Sequence, residues 1–501
     1  MTKPAIRAAL VLIALVFATA CGGSQESTPA GGAQAPELPR KAPGSVRHDV
    51  TGGQAAPSPV PSTGPHGAQE PSTFALDVDT ASYGYARRAL LEGRWPEPGQ
   101  VRTEEFVNAF RQDYKEPDDD GFAVHLDGAR LPDKGTALVR VGLQTRAQDA
   151  SARRPVSLTF VVDVSGSMAE PGRLDLVRRA LHTLVDQLVP GDQVSIVSFN
   201  EQARVIAEMT PVTSRAALHE AIEHLSAEGS TNVSDGLDAG YRQAAGAYRA
   251  DATNRVILLS DGLANTGETS WQAILDRVSA QAGKKITLLC VGVGREYGDQ
   301  LMEQLADKGD GAAVYVSTED DVRTVFSEKL TTTLEVRARD AKAQVAFDPS
   351  AVESYELLGY EDRALTSEAF RDDAVDGGEI GPGHAVTALY RVRLRPDAGG
   401  RLATATVRWL DPDSRQPAEA VRSVEVSALS PALWEDAPVR LQVDAVAAGF
   451  AEHLRGRWSG GGDGTWSLAE LTDEATHLSA QTEDPAVTEL ATLLRRARDL
   501  G

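Results

Sequence analysis

The sequence predicts an α/β fold in which a domain with a central, mostly parallel sheet is inserted in or flanked by an antiparallel β-sandwich unit and followed by C-terminal helices. Three observations predict it. Between residues 155 and 330, short apolar runs alternate with segments of helical periodicity, as in a parallel sheet covered by helices. At 122–143 and 335–426, apolar residues alternate with polar ones as in half-buried strands. Residues 431–501 return to helical periodicity.

Length and composition bound the number of domains and the class of partner. The chain has 501 residues, of which 42% are hydrophobic, so two or three folded units with cores of their own are expected. Its formal net charge is −22. Because nucleic-acid binding requires a basic surface, the charge argues against a nucleic-acid partner. An acidic surface is consistent with solubility and with cation binding.

The first 20 residues have the pattern of an export signal. A short basic start precedes an apolar run at 8–20, which is too short to span a bilayer as a stable helix. The run ends directly before Cys21, as in a bacterial lipobox, although Ala18 stands where that motif usually has Leu. We therefore predict that residues 1–20 are a lipoprotein signal and that Cys21 carries a lipid. The alternative is an ordinary signal peptide cleaved near an Ala-x-Ala site.

Residues 21–72 are predicted to be a disordered tether. The segment is rich in Pro, Gly, Ala, Ser and Gln and has no aromatic residue, so it buries too little apolar surface to offset the entropy of ordering. A tether after a lipidated Cys would hold a folded body away from the membrane. The expected location is the cell envelope, and the lipid would be the only membrane contact. Because Gly22 is not Asp, the outer membrane is favoured in a cell with two membranes; in a cell with one membrane, the extracellular face is expected.

The predicted elements follow in order along the chain. In an N-terminal helical and β module (73–154), we predict strands at 74–78, 122–126 and 137–143 and helices at 82–92 and 103–112. In the α/β domain (155–330), we predict strands at 156–162, 193–199, 255–260, 285–293 and 313–316, and helices at 174–188, 214–227, 233–248, 271–282, 298–307 and 318–330. A β-rich module (331–430) has predicted strands at 335–345, 354–358, 385–394, 403–409 and 421–426, before a helical segment (431–501) with three helices and a Gly-rich loop at 460–464.

Five polar side chains in the α/β domain are candidate metal ligands. Asp163 ends an apolar strand and is followed by Ser165 and Ser167, with a glycine between the two serines for a tight turn. Thr231 lies in a Gly-containing loop before a helix, and Asp261 ends another apolar strand. Because ligands collect at the carboxyl ends of parallel strands, these loops should converge. Oxygen ligands with at most two negative charges suit a hard cation, Mg²⁺ in preference to Ca²⁺, with Mn²⁺ a further alternative.

The order and spacing of these residues resemble the metal-ion-dependent adhesion site of von Willebrand factor type A (VWA) domains, which have a Rossmann-like fold. The resemblance implies that Ser165, Ser167 and Thr231 contact the metal, and that Asp163 and Asp261 act directly or through water. It also implies that a carboxylate of a protein partner completes the coordination. The flanking segments, at 72–83, 102–108, 355–363 and 376–384, resemble bacterial A-domain lipoproteins of the YfbK type.

Other signals favour structural roles. The segment 77–82 echoes the metal motif but lacks the glycine turn, so a strand end leading into a helix is favoured. His219 and His224 are five residues apart, whereas the zinc motif H-E-x-x-H needs four, so a solvated helix surface is favoured there. Cys290 lies in an apolar run and is interpreted as a small core residue.

The sequence thus favours an envelope-anchored binding protein without enzymatic activity, whose metal binds a partner through an acidic residue. A structural envelope protein with a metal-stabilised fold is the first alternative. A metal-dependent hydrolase is less favoured, because the five positions include no His or Glu to act as a base.

Overall fold

The computed structural model describes residues 65–500 except 77, 134, 148–153, 263–270, 295–299, 310, 312, 317, 324, 327–335 and 458–465. Strands in this part of the chain are β1 (His66–Gly67), β2 (Ser72–Ala75), β3 (Phe122–Arg130), β4 (Thr136–Thr145), β5 (Val156–Asp163), β6 (Gln193–Phe199), β7 (Ala203–Pro211), β8 (Thr253–Ser260), β9 (Ile286–Val293), β10 (Ala313–Val316), β11 (Ala338–Phe347), β12 (Val352–Leu358), β13 (Gly378–Ile380), β14 (Ala385–Leu394), β15 (Arg401–Leu410) and β16 (Pro417–Glu425).

The α-helices of the same part are α1 (Ala81–Leu91), α2 (Thr103–Asn108), α3 (Leu174–Gln187), α4 (Arg215–Glu223), α5 (Val233–Gly246), α6 (Trp271–Ala282), α7 (Gln300–Lys308), α8 (Glu319–Arg323), α9 (Leu433–Asp436), α10 (Val439–Leu454), α11 (Leu468–Thr482) and α12 (Pro485–Leu500). No helix within the described ranges is both long enough and apolar enough to cross a membrane.

A six-stranded sheet forms the centre of the α/β domain, as far as the described residues show. Its strand order is β10-β9-β8-β5-β6-β7, and every pair is parallel except β6 with the edge strand β7. Every residue of β5 and β9 is buried, because helices cover both faces of the sheet. One face packs with α3 and α4, and the other packs with α5, α6 and α7. The carboxyl ends of β5 and β8 therefore lie side by side at one edge of the domain.

The second structural unit is an antiparallel sandwich that the α/β domain interrupts. In one sheet the strand order is β1-β12-β14-β4-β3, and in the other it is β13-β11-β15-β16, with β2 also paired to β11. Strand β4 precedes the α/β domain in sequence, whereas its neighbour β14 follows it, with Val141 opposite Ala388. Apolar side chains from both sheets fill one core. The α/β domain is thus inserted into the sandwich.

Helices from both ends of the described chain cover the sandwich. Helices α1 and α2 share an apolar core with α9 to α12, in which Phe106 contacts Phe450 edge-on at 6.1 Å between ring centroids. A buried ion pair joins this layer to the sandwich: Arg140 Nη1 of β4 lies 3.0 Å from Asp444 Oδ2 of α10. Arg140 also pairs with Asp127 on β3, at 2.6 Å. The helical layer is therefore held against the sandwich by apolar packing and by the Arg140–Asp444 ion pair.

The structure confirms the predicted fold class and corrects several elements. The edge strand β7 was not predicted, because its side chains are mostly exposed or half-buried and do not form an apolar run. The helix expected at 103–112 ends at Asn108. The tether expected at 21–72 is wrong for its last residues: His66 and Gly67 pair with Tyr355 and Ser354 in β12. Backbone hydrogen bonds to the edge strand β12 hold His66 and Gly67 in place. Such pairing cannot be predicted from amino-acid composition. Cys21 and the export signal lie outside the described residues.

Candidate metal site

Asp163 is the most deeply buried of the candidate metal ligands. It is the last residue of β5 and is 0% exposed. Its Oδ1 accepts a hydrogen bond from the Ser165 backbone N at 2.8 Å, and its Oδ2 accepts one from Ser260 Oγ at 2.6 Å. Burial raises the pKa of Asp163 to about 6, although the hydrogen bonds from Ser260 and Ser165 act to lower it. The carboxylate is therefore fixed in place by the loop after β5 and by the end of β8.

The side-chain oxygens of Ser165, Ser167 and Asp261 form a continuous series of contacts beside Asp163. Ser165 Oγ lies 3.2 Å from Ser167 Oγ, and Ser167 Oγ donates to Asp261 Oδ1 at 2.9 Å. A short 3₁₀ turn at Gly166–Ala169 sets the spacing of the two hydroxyls. Ser165 is buried, whereas Ser167 is exposed to solvent. Side-chain and backbone hydrogen bonds thus bring together four of the five residues predicted from the sequence: Asp163, Ser165, Ser167 and Asp261.

Thr231 lies on a second loop that is tied to the first by backbone hydrogen bonds. Gly166 N donates to Gly229 O at 2.9 Å, and Glu228 N donates to Val164 O at 2.7 Å. Gly229 has a φ of +80°, and a Cβ there would lie 2.6 Å from Glu201 Oε2. Glycine is therefore favoured by the backbone conformation, and a larger residue would also displace the exposed Glu201 carboxylate. Thr231 itself is 5% exposed and lies two residues after Gly229, just before α5.

Arg173 is a site residue that sequence reasoning missed. Its Nη1 lies 2.5 Å from Asp261 Oδ2 and donates to Ser167 O at 3.2 Å, and its guanidinium also pairs with Glu170. Arg173 occupies the N-terminal boundary of α3, where the helix dipole disfavours a positive charge. An arginine is unfavourable at the start of a helix unless an acidic side chain lies close to it. Its position six residues after Ser167 was therefore the signal in the sequence that could have indicated a contact with Asp261.

The residues present fit a hard divalent cation. All candidate donors are oxygens, two from carboxylates and three from hydroxyls, which is the ligand chemistry of Mg²⁺. In octahedral Mg²⁺ coordination neighbouring ligand oxygens lie about 2.9 Å apart. The Ser165–Ser167 and Ser167–Asp261 oxygen separations, 3.2 and 2.9 Å, are close to that value. Across the described residues, no group of three or more His, Cys, Asp or Glu is placed to hold a metal ion.

Three family models match parts of the chain. The family model for the von Willebrand factor type A domain matches residues 157–328. The model described as "Uncharacterized protein YfbK, C-terminal" matches residues 332–500, and one described as von Willebrand factor matches 63–140.

Individual relatives extend over different shares of the chain. The uncharacterized protein YfbK of Escherichia coli is 32% identical over 70% of this chain, and the match spans 66% of its own length, just under two thirds. The uncharacterized protein sll0103 of Synechocystis is 30% identical over 38% of this chain and 44% of its own length. A solved von Willebrand factor type A structure from Catenulispora acidiphila aligns with 78% of this chain and 88% of its own, at 18% identity and a TM-score of 0.44.

Proposed function

We propose that the domain at 157–328, which matches the von Willebrand factor type A model in a chain similar to the YfbK protein of Escherichia coli, binds a divalent cation and, through it, an acidic residue of a protein partner. The observation that carries the proposal is the chain of oxygen contacts from Ser165 through Ser167 to Asp261, above the buried carboxylate of Asp163. Ser165, Ser167 and Thr231 would contact the cation, with Asp163 and Asp261 beside it. A bound Mg²⁺ would supply an open coordination position for a partner's carboxylate oxygen.

The contacts of the two aspartates favour binding over catalysis. Asp163 accepts hydrogen bonds from Ser165 and Ser260. Asp261 accepts one from Ser167 and pairs with Arg173. A carboxylate that is already hydrogen-bonded on both oxygens is poorly placed to take a proton from water or substrate. We therefore propose a non-enzymatic interaction protein.

Metal-dependent capture tests the proposal. The purified protein is immobilised and exposed to envelope extract that contains either about 5 mM Mg²⁺ or EDTA. A Mg²⁺ concentration on the order of 5 mM is enough to saturate a weak Mg²⁺ site. We expect a partner that is retained with Mg²⁺, released by EDTA and not retained by Asp163→Ala. Calorimetric titration of the same protein with Mg²⁺, Mn²⁺ and Ca²⁺ should give one saturable site. No saturable binding of any of the three ions would contradict the proposal.

Arg173 is expected to weaken cation binding by competing for Asp261. Its guanidinium places a positive charge within 2.5 Å of one carboxylate oxygen. Removing that charge in Arg173→Gln should tighten Mg²⁺ binding by about 3- to 10-fold, the size expected for one nearby charge in a partly hydrated site. Arg179→Gln, which removes a half-exposed arginine of the same helix, is the matched control and should leave the Kd unchanged. Weaker binding in Arg173→Gln would show that Arg173 positions Asp261 instead.

We also propose that the protein is anchored in the cell envelope through a lipid on Cys21. The support is the apolar run that ends directly before this cysteine. Metabolic labelling with a fatty-acid analogue should mark the wild-type protein and not Cys21→Ala. Labelling that persists in Cys21→Ala would place any lipid elsewhere.

A further inference from the structure

Two histidines meet on the outer surface of the α/β domain, away from the oxygen site. His182 of α3 and His219 of α4 have their Nδ1 atoms 2.7 Å apart, and the ring planes are inclined by 28° with centroids 4.9 Å apart. Their side chains are 28% and 31% exposed. His182 is eight residues beyond the first residue of α3, about 12 Å along the helix. His219 thus pairs with a histidine of the neighbouring helix and not with His224, whose Nδ1 faces Glu220 O of its own helix.

Carboxylates fix the protons of both rings. His182 Nε2 lies 3.0 Å from Glu223 Oε1, and His219 Nε2 lies 3.2 Å from Asp186 Oδ1. A carboxylate accepts hydrogen bonds, so each Nε2 carries the hydrogen. A neutral imidazole has one such hydrogen, and each Nδ1 therefore directs a lone pair at the other ring. Two lone pairs at 2.7 Å repel one another unless an electrophile lies between them, either a shared proton or a metal ion.

We propose that His182 and His219 form a second metal site, for a borderline divalent ion such as Zn²⁺ or Cu²⁺. Imidazole nitrogen is the ligand that these ions prefer, whereas the oxygen site suits Mg²⁺. A histidine that ligates a metal usually donates its other N–H to a carboxylate, which is the arrangement of both rings here. Glu223 and Asp186 orient the ligands and do not contact the ion. The proposal does not depend on the oxygen site being functional.

Only a small movement is needed to admit the ion. Zinc–nitrogen bonds are about 2.0–2.1 Å long, so two nitrogens on one tetrahedral ion lie about 3.3 Å apart. The Nδ1 atoms would separate by roughly 0.6 Å from their 2.7 Å contact, which partly exposed rings allow by side-chain rotation. The protein supplies two ligands, and water completes the coordination. Binding would link α3 to α4 at the domain surface.

Calorimetry with Zn²⁺ on the full chain tests the site, in the Asp163→Ala background so that the oxygen site does not contribute. We expect saturable binding of one Zn²⁺ at pH 7.5, lost in His182→Gln and in His219→Gln. Glu223→Gln should weaken it by about 10-fold, as outer carboxylates of metal sites do. His224→Gln removes an exposed histidine of the same segment and is the matched control, with unchanged binding. Circular dichroism confirms that each variant is folded.

Nitrogen-15 spectra of the histidine rings provide a second measurement. On addition of Zn²⁺ the Nδ1 resonances of both rings should shift, while the Nε2 resonances should keep the position of protonated nitrogens. Zn²⁺ binding that survives in the His182→Gln/His219→Gln double variant would overturn the proposal. So would the lack of Zn²⁺ binding in the parent protein, in which case a shared proton accounts for the 2.7 Å contact.

Discussion

Replacement of Asp163 by alanine is expected to abolish Mg²⁺ binding, with the affinity falling by at least about 100-fold, comparable to the loss of a main determinant of a metal site. Asp163 is the fully buried carboxylate beneath the two serine hydroxyls, and it holds the Ser165 backbone N and Ser260 Oγ in place. The substitution removes a negative charge and also the hydrogen bonds that shape the loop. Calorimetric titration of wild type and variant with Mg²⁺ measures the effect.

The same substitution should change the metal-free stability little. The Ser165 backbone N loses its acceptor, which costs roughly 1–3 kcal/mol, whereas Ser260 Oγ keeps Gly262 O as an acceptor. This cost is offset because a buried carboxylate, with a pKa raised to about 6 by desolvation, is removed as well. Thermal unfolding should therefore show a Mg²⁺-dependent rise in Tm for wild type and none for Asp163→Ala. Asp238→Ala, which removes a half-exposed carboxylate of α5, is the control and should keep the wild-type response.

These measurements also separate the candidate functions. Partner capture that is lost in Asp163→Ala, with the metal-free Tm preserved, supports a metal-dependent binding module. A Mg²⁺-linked stabilisation that accounts for most of the folding free energy supports a structural role for the metal. Asp163→Ala that binds Mg²⁺ with wild-type affinity would contradict the assignment of the site.

Replacement of Arg140 by methionine is expected to destabilise the fold by about 3–5 kcal/mol at pH 7.5, the usual cost of leaving a buried charge unpaired. Asp444 is 0% exposed, and it also accepts a hydrogen bond from Gln112 Nε2, at 2.7 Å. Burial already raises the pKa of Asp444 to about 6, with Arg140 acting to lower it, so removing the arginine raises it further. Chemical denaturation followed by circular dichroism measures the change.

The loss should be smaller at pH 5 than at pH 7.5. A carboxyl whose folded-state pKa lies above its unfolded value binds its proton more tightly in the folded state, so stability falls as pH rises through that folded pKa. At pH 5 the folded variant keeps Asp444 protonated and neutral. The double variant Arg140→Met/Asp444→Asn should recover most of the lost free energy at pH 7.5 and lose this pH dependence.

A second arginine of the same sandwich provides the comparison. Arg391 pairs with Glu356 across β14 and β12, but both side chains are about a quarter exposed. Arg391→Met should therefore cost about 1 kcal/mol or less, as expected for ion pairs in contact with water. Equal costs for Arg140→Met and Arg391→Met would show that burial of Asp444 is not the cause.

Much of the candidate site was predictable because it depends on strand ends. Asp163 and Asp261 follow apolar runs, and parallel strands bring their carboxyl ends together whatever the rest of the fold. Ser260 was not predictable as a partner of Asp163. Its hydroxyl reaches that carboxylate only because the register of β5 and β8 sets Val162 opposite Leu259. The contact between Arg173 and Asp261 likewise depends on the direction in which α3 leaves the loop, and residue spacing alone does not define that direction.

The fold was predictable where periodicity is strong and local. Strands β5, β6 and β9 are apolar and lie where the sequence predicts them. The edge strand β7 and the short strand β1 are held by backbone hydrogen bonds to a neighbour, with few buried side chains of their own. Their sequences therefore carry little apolar signal. The histidine contact across α3 and α4 joins residues 37 positions apart, so it required the packed helices to be seen.

The insertion of the α/β domain sets the order in which the chain can be completed during synthesis. Ala385, the first residue of β14, comes 240 residues after Thr145, the last residue of β4 (385 − 145 = 240). At about 5–20 residues per second, roughly 10–50 s pass between the two strands at the ribosome. During that time the described strands of the α/β sheet have been made, while β4 lacks its neighbour β14 and exposes unpaired backbone groups along that edge. The nascent chain therefore presents the strands of the α/β sheet beside the hairpin β3–β4, whose edge stays open to pairing with other chains until β14 is made.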